Sequence, residues 1–223
     1  MFFANRAEAG QRLAEALSEY KNEDVVVLAI PRGGVPIGAE VSKTLNAPLD
    51  IVLVRKIGAP MQPELAIAAV VDGAHAQTVR NEELLAALGI SDEFMTKESA
   101  RQLAEIERRR TLYLGNHARP SIAGKTVIVV DDGIATGATV RAALKGIRLN
   151  GPKRLILAVP VAPPDTIEAL QDEVDAIVCL SKPQGFLAIG QFYSDFKQLT
   201  DTEVIDLLRS AAAAQEPAAT TQT

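Results

Sequence analysis

Cysteine occurs once in these 223 residues and tryptophan not at all. A lone Cys179 rules out an internal disulfide framework, and its setting in the apolar run DAIVCLS reads as a buried strand position rather than a nucleophile. Histidine is almost as scarce. His75 and His117 stand apart in polar segments and read as surface residues, so no protein cage for a metal ion is expected. No apolar run approaches the ~18 residues that cross a bilayer. The opening MFFANRAEAG has neither a basic start leading into an apolar stretch nor a cleavage site, so a cytoplasmic location without a membrane partner is expected. Cationic excess is missing too: the formal net charge of −5 argues against a broad surface for nucleic-acid backbone, while local charges could still hold a small anion.

What is present is a balance of 48% hydrophobic and 23% charged residues, which suits one globular domain over residues 1–210. Leu13, Ala16, Leu17 and Tyr20 fall at helical spacing within Asn5 to Tyr20, and VVVLAI (Val25 to Ile30) follows as a buried strand. A helix from Val35 to Leu45 leads to strands at Leu49 to Val54 and Leu65 to Val71, with a short strand near Thr78 and Val79. Residues 81–115 are rich in Glu, Arg, Leu and Ala and read as a two-helix insertion, in which Arg108 to Arg110 form a solvated face with Glu105 and Glu107. The strands TVIVVD, RLILAVPV and DAIVCL then alternate with helices over Gly137 to Leu149 and Asp165 to Leu170. This is an α/β pattern with a mostly parallel central sheet flanked by helices. A last helix spans Asp201 to Arg209, and residues 211–223, low in apolar bulk, read as a disordered tail.

In such sheets ligands sit beyond the carboxyl ends of the strands. One loop there, DDGIATGAT, places Asp131 and Asp132 at a strand tip and follows them with Ala135, Thr136, Gly137, Ala138 and Thr139 at the start of a helix. A helix start rich in Gly and Thr holds phosphate, whereas paired carboxylates accept hydrogen bonds from vicinal hydroxyls. Neither the P-loop pattern with its lysine nor G-x-G-x-x-G is present. Ribose 5-phosphate carries both a hydroxyl face and a phosphate end.

The stretch VIVVDDGIATGATVRAAL resembles the phosphoribosyl-diphosphate (PRPP) binding signature of type I phosphoribosyltransferases, and two more loops extend the resemblance in the expected order. PRGGVPIG supplies Arg32, Gly33 and Gly34, the position that holds pyrophosphate in that family. RKIGAPMQPELA, with Arg55 and Lys56, is similar to the mobile catalytic loop that closes over PRPP. The likeness runs from about Asn5 to Arg209, and PRGG, RKIGAPMQPELAIAAV and FLAIGQFYSDF look closest to a subgroup of predicted phosphoribosyltransferases. That subgroup typically has glycine where Ala68 stands and tryptophan where Phe192 stands.

The resemblance implies a Rossmann-like core with a small hood over the acceptor, formed by residues 1–24 and 181–200, and is compatible with a homodimer. Phe186, Phe192, Tyr193 and Phe196 cluster in that hood in a chain only 4% aromatic, and Phe192 or Tyr193 is the candidate to stack on a planar acceptor. The implied reaction displaces pyrophosphate from ribose C1. Asp131 and Asp132 hold the ribose hydroxyls, the amides of Ala135 to Thr139 anchor the 5-phosphate, and Arg32, Arg55 and Lys56 face the diphosphate with a magnesium ion carried in by PRPP. Glu64 is a general-base candidate by position alone. An alternative is a PRPP- or nucleotide-sensing regulator, which would have no need of the catalytic loop; a structural domain binding a stray anion is the third reading.

Overall fold

The computed structural model describes residues 1–73, 76–115 and 117–215, so His75 and the tail beyond Gln215 lie outside the described residues. Helix α1 (Arg6–Ala16) starts at Asn5, whose side chain accepts a hydrogen bond from the Glu8 amide, and a 3-10 turn, Ser18–Tyr20, completes the segment expected as one helix. Strand β1 (Val25–Ala29), helix α2 (Gly34–Leu45) and strand β2 (Leu49–Ile51) follow. Along β1 the side chains alternate between two apolar clusters: Val25, Val27 and Ala29 join one, Val26 and Leu28 the other. A strand covered on both faces needs no polar side, which is why it reads as a continuous apolar run.

The expected strand Leu49 to Val54 is divided. Its first three residues are β2, and Val54 opens β3 (Val54–Ala59), which pairs antiparallel with β4 (Gln62–Val71); β5 (Gln77–Arg80) pairs with β4 in turn. The segment expected as a loop, Arg55 to Ala66, is therefore a β-hairpin. Its glycine and prolines misled because they sit at irregularities of a strand pair: Pro60 and Met61 make the turn, and the register shifts around Gly58 leave Pro63 in a bulge where a missing N–H breaks no ladder bond. Helices α3 (Glu82–Ala87) and α4 (Asp92–Leu114) occupy the insertion, each started by a side-chain cap, Asn81 and Ser91.

Strand β6 (Thr126–Val130), helix α5 (Ala138–Arg148), strand β7 (Arg154–Val161), helix α6 (Pro164–Leu170) and strand β8 (Ala176–Ser181) complete a parallel five-stranded sheet in the order β2-β1-β6-β7-β8. Leu13, Val41, Ile106 and Val204 pack on one face, and Leu144, Ile147, Ile167 and Leu170 on the other. Helix α7 (Asp201–Ala213), begun by a Thr200–Glu203 capping box, outruns its expected end, and Gln215 beyond it bonds the Ser42 hydroxyl at 3.2 Å. The first part of the expected disordered tail is thus ordered helix. Among the described residues no helix is long and apolar enough to cross a membrane.

Two further readings change. Cys179 lies on the edge strand β8 and is only half-buried, with Sγ 3.2 Å from the Ser181 carbonyl oxygen. Burial pushes its thiol pKa up, the direction of an inert rather than a reactive cysteine. Of the three arginines read as a solvated face, Arg108 and Arg109 do lie on Glu105, but Arg110 turns inward and bonds Asp50 at 2.8 Å and Asp72 at 3.2 Å. Three consecutive helical residues sweep about 200°. Arg110 falls in the buried stripe with Met95, Gln102, Ile106 and Tyr113.

Candidate active site

Asp131 and Asp132 follow directly on β6, at the carboxyl end of the central sheet. Asp132 is 7% exposed and Asp131 is half-buried, and the Asp132 amide donates to Asp131 Oδ1 at 2.8 Å. Burial pushes both carboxyl pKa values up; the charge of Asp132 adds to this at Asp131, while the Arg6 guanidinium opposes it at Asp132. Among the described residues two carboxylates share this corner with one cation in bonding range, Arg6 Nε at 2.8 Å from Asp132 Oδ2.

The loop after the pair turns at once into α5. Gly137, at φ 75°, occupies the left-handed region that glycine tolerates, and it starts α5 without a side-chain cap and with no acidic residue in the first turn. Those first-turn amides point out of the helix end with the positive end of its dipole. Ala135, Thr136 and Ala138 are exposed there and Thr139 half-exposed. The loop is braced from below: the Ile134 amide donates to the Val161 carbonyl at 2.9 Å, and the Thr166 hydroxyl to the Ala135 carbonyl at 2.8 Å.

Beside it, between β1 and α2, the Pro31–Arg32 peptide is cis. Arg32 Nη1 donates to the Leu199 carbonyl at 2.7 Å and stands 3.9 Å from Asp201 Oδ1. Gly33 and Gly34 were expected to present amides to an anion. Gly34 does not, because its amide donates back to the Ile30 carbonyl at 2.9 Å. What these glycines supply is space: a side chain on Gly33 would collide with the Asp132 carboxylate, and one on Gly34 would meet the Val130 carbonyl oxygen at 2.6 Å. The two loops are in contact because their strands are neighbours, with Ala29 in register with Val130.

The hairpin cations face elsewhere. Arg55 donates through Nε to Gln102 Oε1 on α4 at 3.0 Å, Gln102 is held in turn by Glu98 at 2.7 Å, and Lys56 and Glu64 are exposed.

The N-terminal segment and residues 192–195 are tied together by backbone bonds: the Phe3 amide donates to the Phe192 carbonyl and the Ser194 amide to the Phe3 carbonyl, each at 2.9 Å. Phe192 and Tyr193, expected to offer a ring to an acceptor, are 6% and 7% exposed. Phe192 packs against Phe2 and Phe186, and Tyr193 against Phe3 and Phe196, so their rings are engaged by other aromatics. The Tyr193 hydroxyl donates to the Asp132 carbonyl oxygen at 2.6 Å; burial and the Asp132 charge push its pKa up. Sequence reading missed Arg6, whose only local signal is a position at the start of a helix, 126 residues from its carboxylate partner.

The strand order and the loops at its carboxyl edge define an α/β protein with a pair of acids beside an uncapped helix start. Residues 3–197 match the family described as the phosphoribosyl transferase domain, and the chain belongs to that family. It is 40% identical over 209 residues to a Mycobacterium tuberculosis protein named "Putative phosphoribosyl transferase", found in two strains; the match covers 94% of this chain and 47% of the relative. The chain therefore spans about half the length of these curated relatives. The crystal structure of TT1426 from Thermus thermophilus superposes with a TM-score of 0.82 at 41% identity, covering 94% of this chain and 99% of that one.

Proposed function

We propose that the chain transfers ribose 5-phosphate from PRPP to a nitrogenous base or related acceptor, with release of pyrophosphate and with magnesium arriving on the substrate. The observation that carries this reading is one continuous element: a buried strand, two carboxylates at its tip, and a braced turn into a helix whose first amides lack a side-chain cap. A ribose phosphate fits it with its hydroxyls toward Asp131 and Asp132 and its phosphate on the amides of Ala135 to Thr139.

The bond from C1 to the diphosphate oxygen breaks, its electron pair leaves with pyrophosphate, and the acceptor nitrogen forms the new bond to C1 and gives up its proton. Positive charge builds on the ribose during this exchange, so the carboxylate pair favours the transition state beyond the ground state. Anchoring the remote phosphate lends binding energy to orienting C1. Arg32, in the loop next to the acid pair, would face the diphosphate, and Arg55 on the hairpin would reach the same group by leaving Gln102, with the exposed Lys56 closing over it alongside. Among the described residues no group of three or more His, Cys, Asp or Glu is arranged to hold a metal ion. A magnesium ion arriving on PRPP would neutralise the charge growing on the leaving group when bound, with Asp131 and Asp132 as the nearest carboxylates at the site.

The test is pyrophosphate release from PRPP and magnesium in the presence of adenine, hypoxanthine, guanine, xanthine, uracil or orotate. One base is expected to support turnover, and the double substitution Asp131→Asn, Asp132→Asn is expected to lower it by on the order of a hundredfold or more. Unchanged turnover in that variant rejects the assignment of the acid pair. PRPP binding without turnover on any base supports the sensing role instead.

A further inference from the structure

The geometry points to Arg6 as the positioning residue that couples the hood to the ribose-binding carboxylate of Asp132. This inference rests on the reading that Asp131 and Asp132 receive the ribose.

The Arg6 guanidinium makes three contacts at once. Nε donates to Asp132 Oδ2 at 2.8 Å, Nη1 donates to the Lys197 carbonyl at 2.9 Å, and Cζ lies 3.9 Å from the centre of the Phe196 ring. The two charged side chains are 11% and 10% exposed, so the pair is shielded from water. Phe196 in turn stacks on Tyr193, with ring centres 5.0 Å apart, and the Tyr193 hydroxyl reaches the main-chain carbonyl of Asp132 itself. The contacts close a ring: Asp132 carboxylate, Arg6, Phe196, Tyr193, Asp132 backbone. Both the side chain and the main chain of one aspartate are thereby set by the hood segment 193–197.

Only a guanidinium fits this ring, because its flat face stacks while its edge donates in two directions; an ammonium would keep the charge and lose the stacking and the second bond. The groups facing the acid pair are Asp131 from its own loop, Arg6 from α1 and Tyr193 from the hood, while Arg32 from the β1–α2 loop is engaged by the Leu199 carbonyl. Arg6 is the partner that opposes the upward push of burial on the Asp132 carboxyl and fixes its rotamer. Any hood movement that admits an acceptor moves Phe196 and Lys197, and through Arg6 moves the carboxylate that holds the ribose. Occupancy of the two half-sites is therefore linked, and the linkage is reciprocal.

The experiment compares wild-type, Arg6→Gln and Arg6→Lys proteins for binding of PRPP with magnesium by calorimetry between pH 5.5 and 8.5, which requires no knowledge of the acceptor. Arg6→Gln is expected to weaken binding on the order of tenfold near neutrality, the size of one lost charge-assisted hydrogen bond. The deficit grows as pH falls, because Asp132 without its cation takes up a proton at higher pH. Arg6→Lys restores the shape of the pH profile while binding less tightly than wild type. Wild-type or tighter binding by Arg6→Gln across the range overturns the proposal, and so does a lysine variant indistinguishable from the glutamine one.

A ligand-free arm keeps the outcome separate from the proposed reaction. An uncompensated buried carboxylate is tolerated protonated and resisted charged, so the melting-temperature gap between wild type and Arg6→Gln widens as pH rises from 4.5 to 8.5. A gap constant with pH refutes the role of Arg6. Failure of the wild-type protein to bind PRPP rejects the proposed function, and the melting arm still decides for or against Arg6.

Discussion

Two corners of this fold each bring a pair of aspartates together, and they are completed differently. At the junction of β2, β4 and α4, Asp50 and Asp72 are 6% and 4% exposed; Arg110 bonds both, and Arg119 adds a second guanidinium to Asp72. At the tip of β6, Asp131 and Asp132 have Arg6 alone, and among the described residues Asp131 has no ion pair. The first corner has two guanidiniums for its two buried aspartates, with Arg119 also reaching the exposed Glu107, and what it does is hold α4 against the two sheets. The second is left one cation short, in a place where burial already disfavours charge. A buried carboxylate pair that is closed off belongs to the architecture, and one left under-compensated at the carboxyl edge of a parallel sheet retains potential for a ligand's donors to satisfy.

Breaking the balanced corner is expected to have the largest effect on the protein itself. Arg110→Met takes the shared cation from two buried aspartates and is expected to cost about 3–5 kcal/mol of stability, read as a fall in the urea midpoint; a loss no larger than that of an exposed arginine would remove the distinction between the corners. The under-compensated corner responds in the opposite sense. The Asp131 pKa is raised by burial first and by Asp132 second, so its contribution to stability is fully present below the unfolded value and lost as pH rises through the folded one. Asp131→Asn is therefore expected to match wild type in melting temperature near pH 4 and exceed it at pH 8. A variant less stable than wild type at pH 8 would overturn this reading of Asp131 as an acid whose charge burial disfavours. The smallest change marks the outer limit of the comparison: Arg108→Ala with Arg109→Ala removes exposed pairs to Glu105, and no measurable shift in melting temperature is expected.

The same contrast explains what could be read from the sequence. The acid pair and the turn into α5 were legible because strand, carboxylates, glycine and threonines are contiguous from Thr126 to Thr139, so one stretch carries the whole of the local structure. The parallel strands were legible because burial on both faces leaves an unbroken apolar run. Arg6 was not, since its partner lies far along the chain and a first-turn arginine on an ordinary helix has no special signature. Arg110 is hidden inside a run of charges that masks its helical phase, although its spacing from Ile106 and Tyr113 marks the buried face. The hairpin was read as a loop because glycine and proline announce irregular backbone without saying whether it interrupts a strand or replaces one. The aromatic cluster near Phe192 was visible, but composition gives no direction, and those rings turned inward.

The adjacency of β1 and β6 carries one more consequence. The Ile30 amide bonds the Val130 carbonyl at 3.0 Å, so the turn with Arg32 and the turn with Asp131 begin one rung apart on the same ladder, a spacing of about 4.8 Å set by the backbone of any sheet. Between them the chain runs through α2 to β2, the outer neighbour of β1 in the same sheet, and then makes a detour off the sheet through the hairpin and α4 before returning at β6. Lengthening such a detour adds little to the entropy of closing it and leaves the gauge between the two turns unchanged. The detour can be rewritten in length and sequence while the two turns keep their separation.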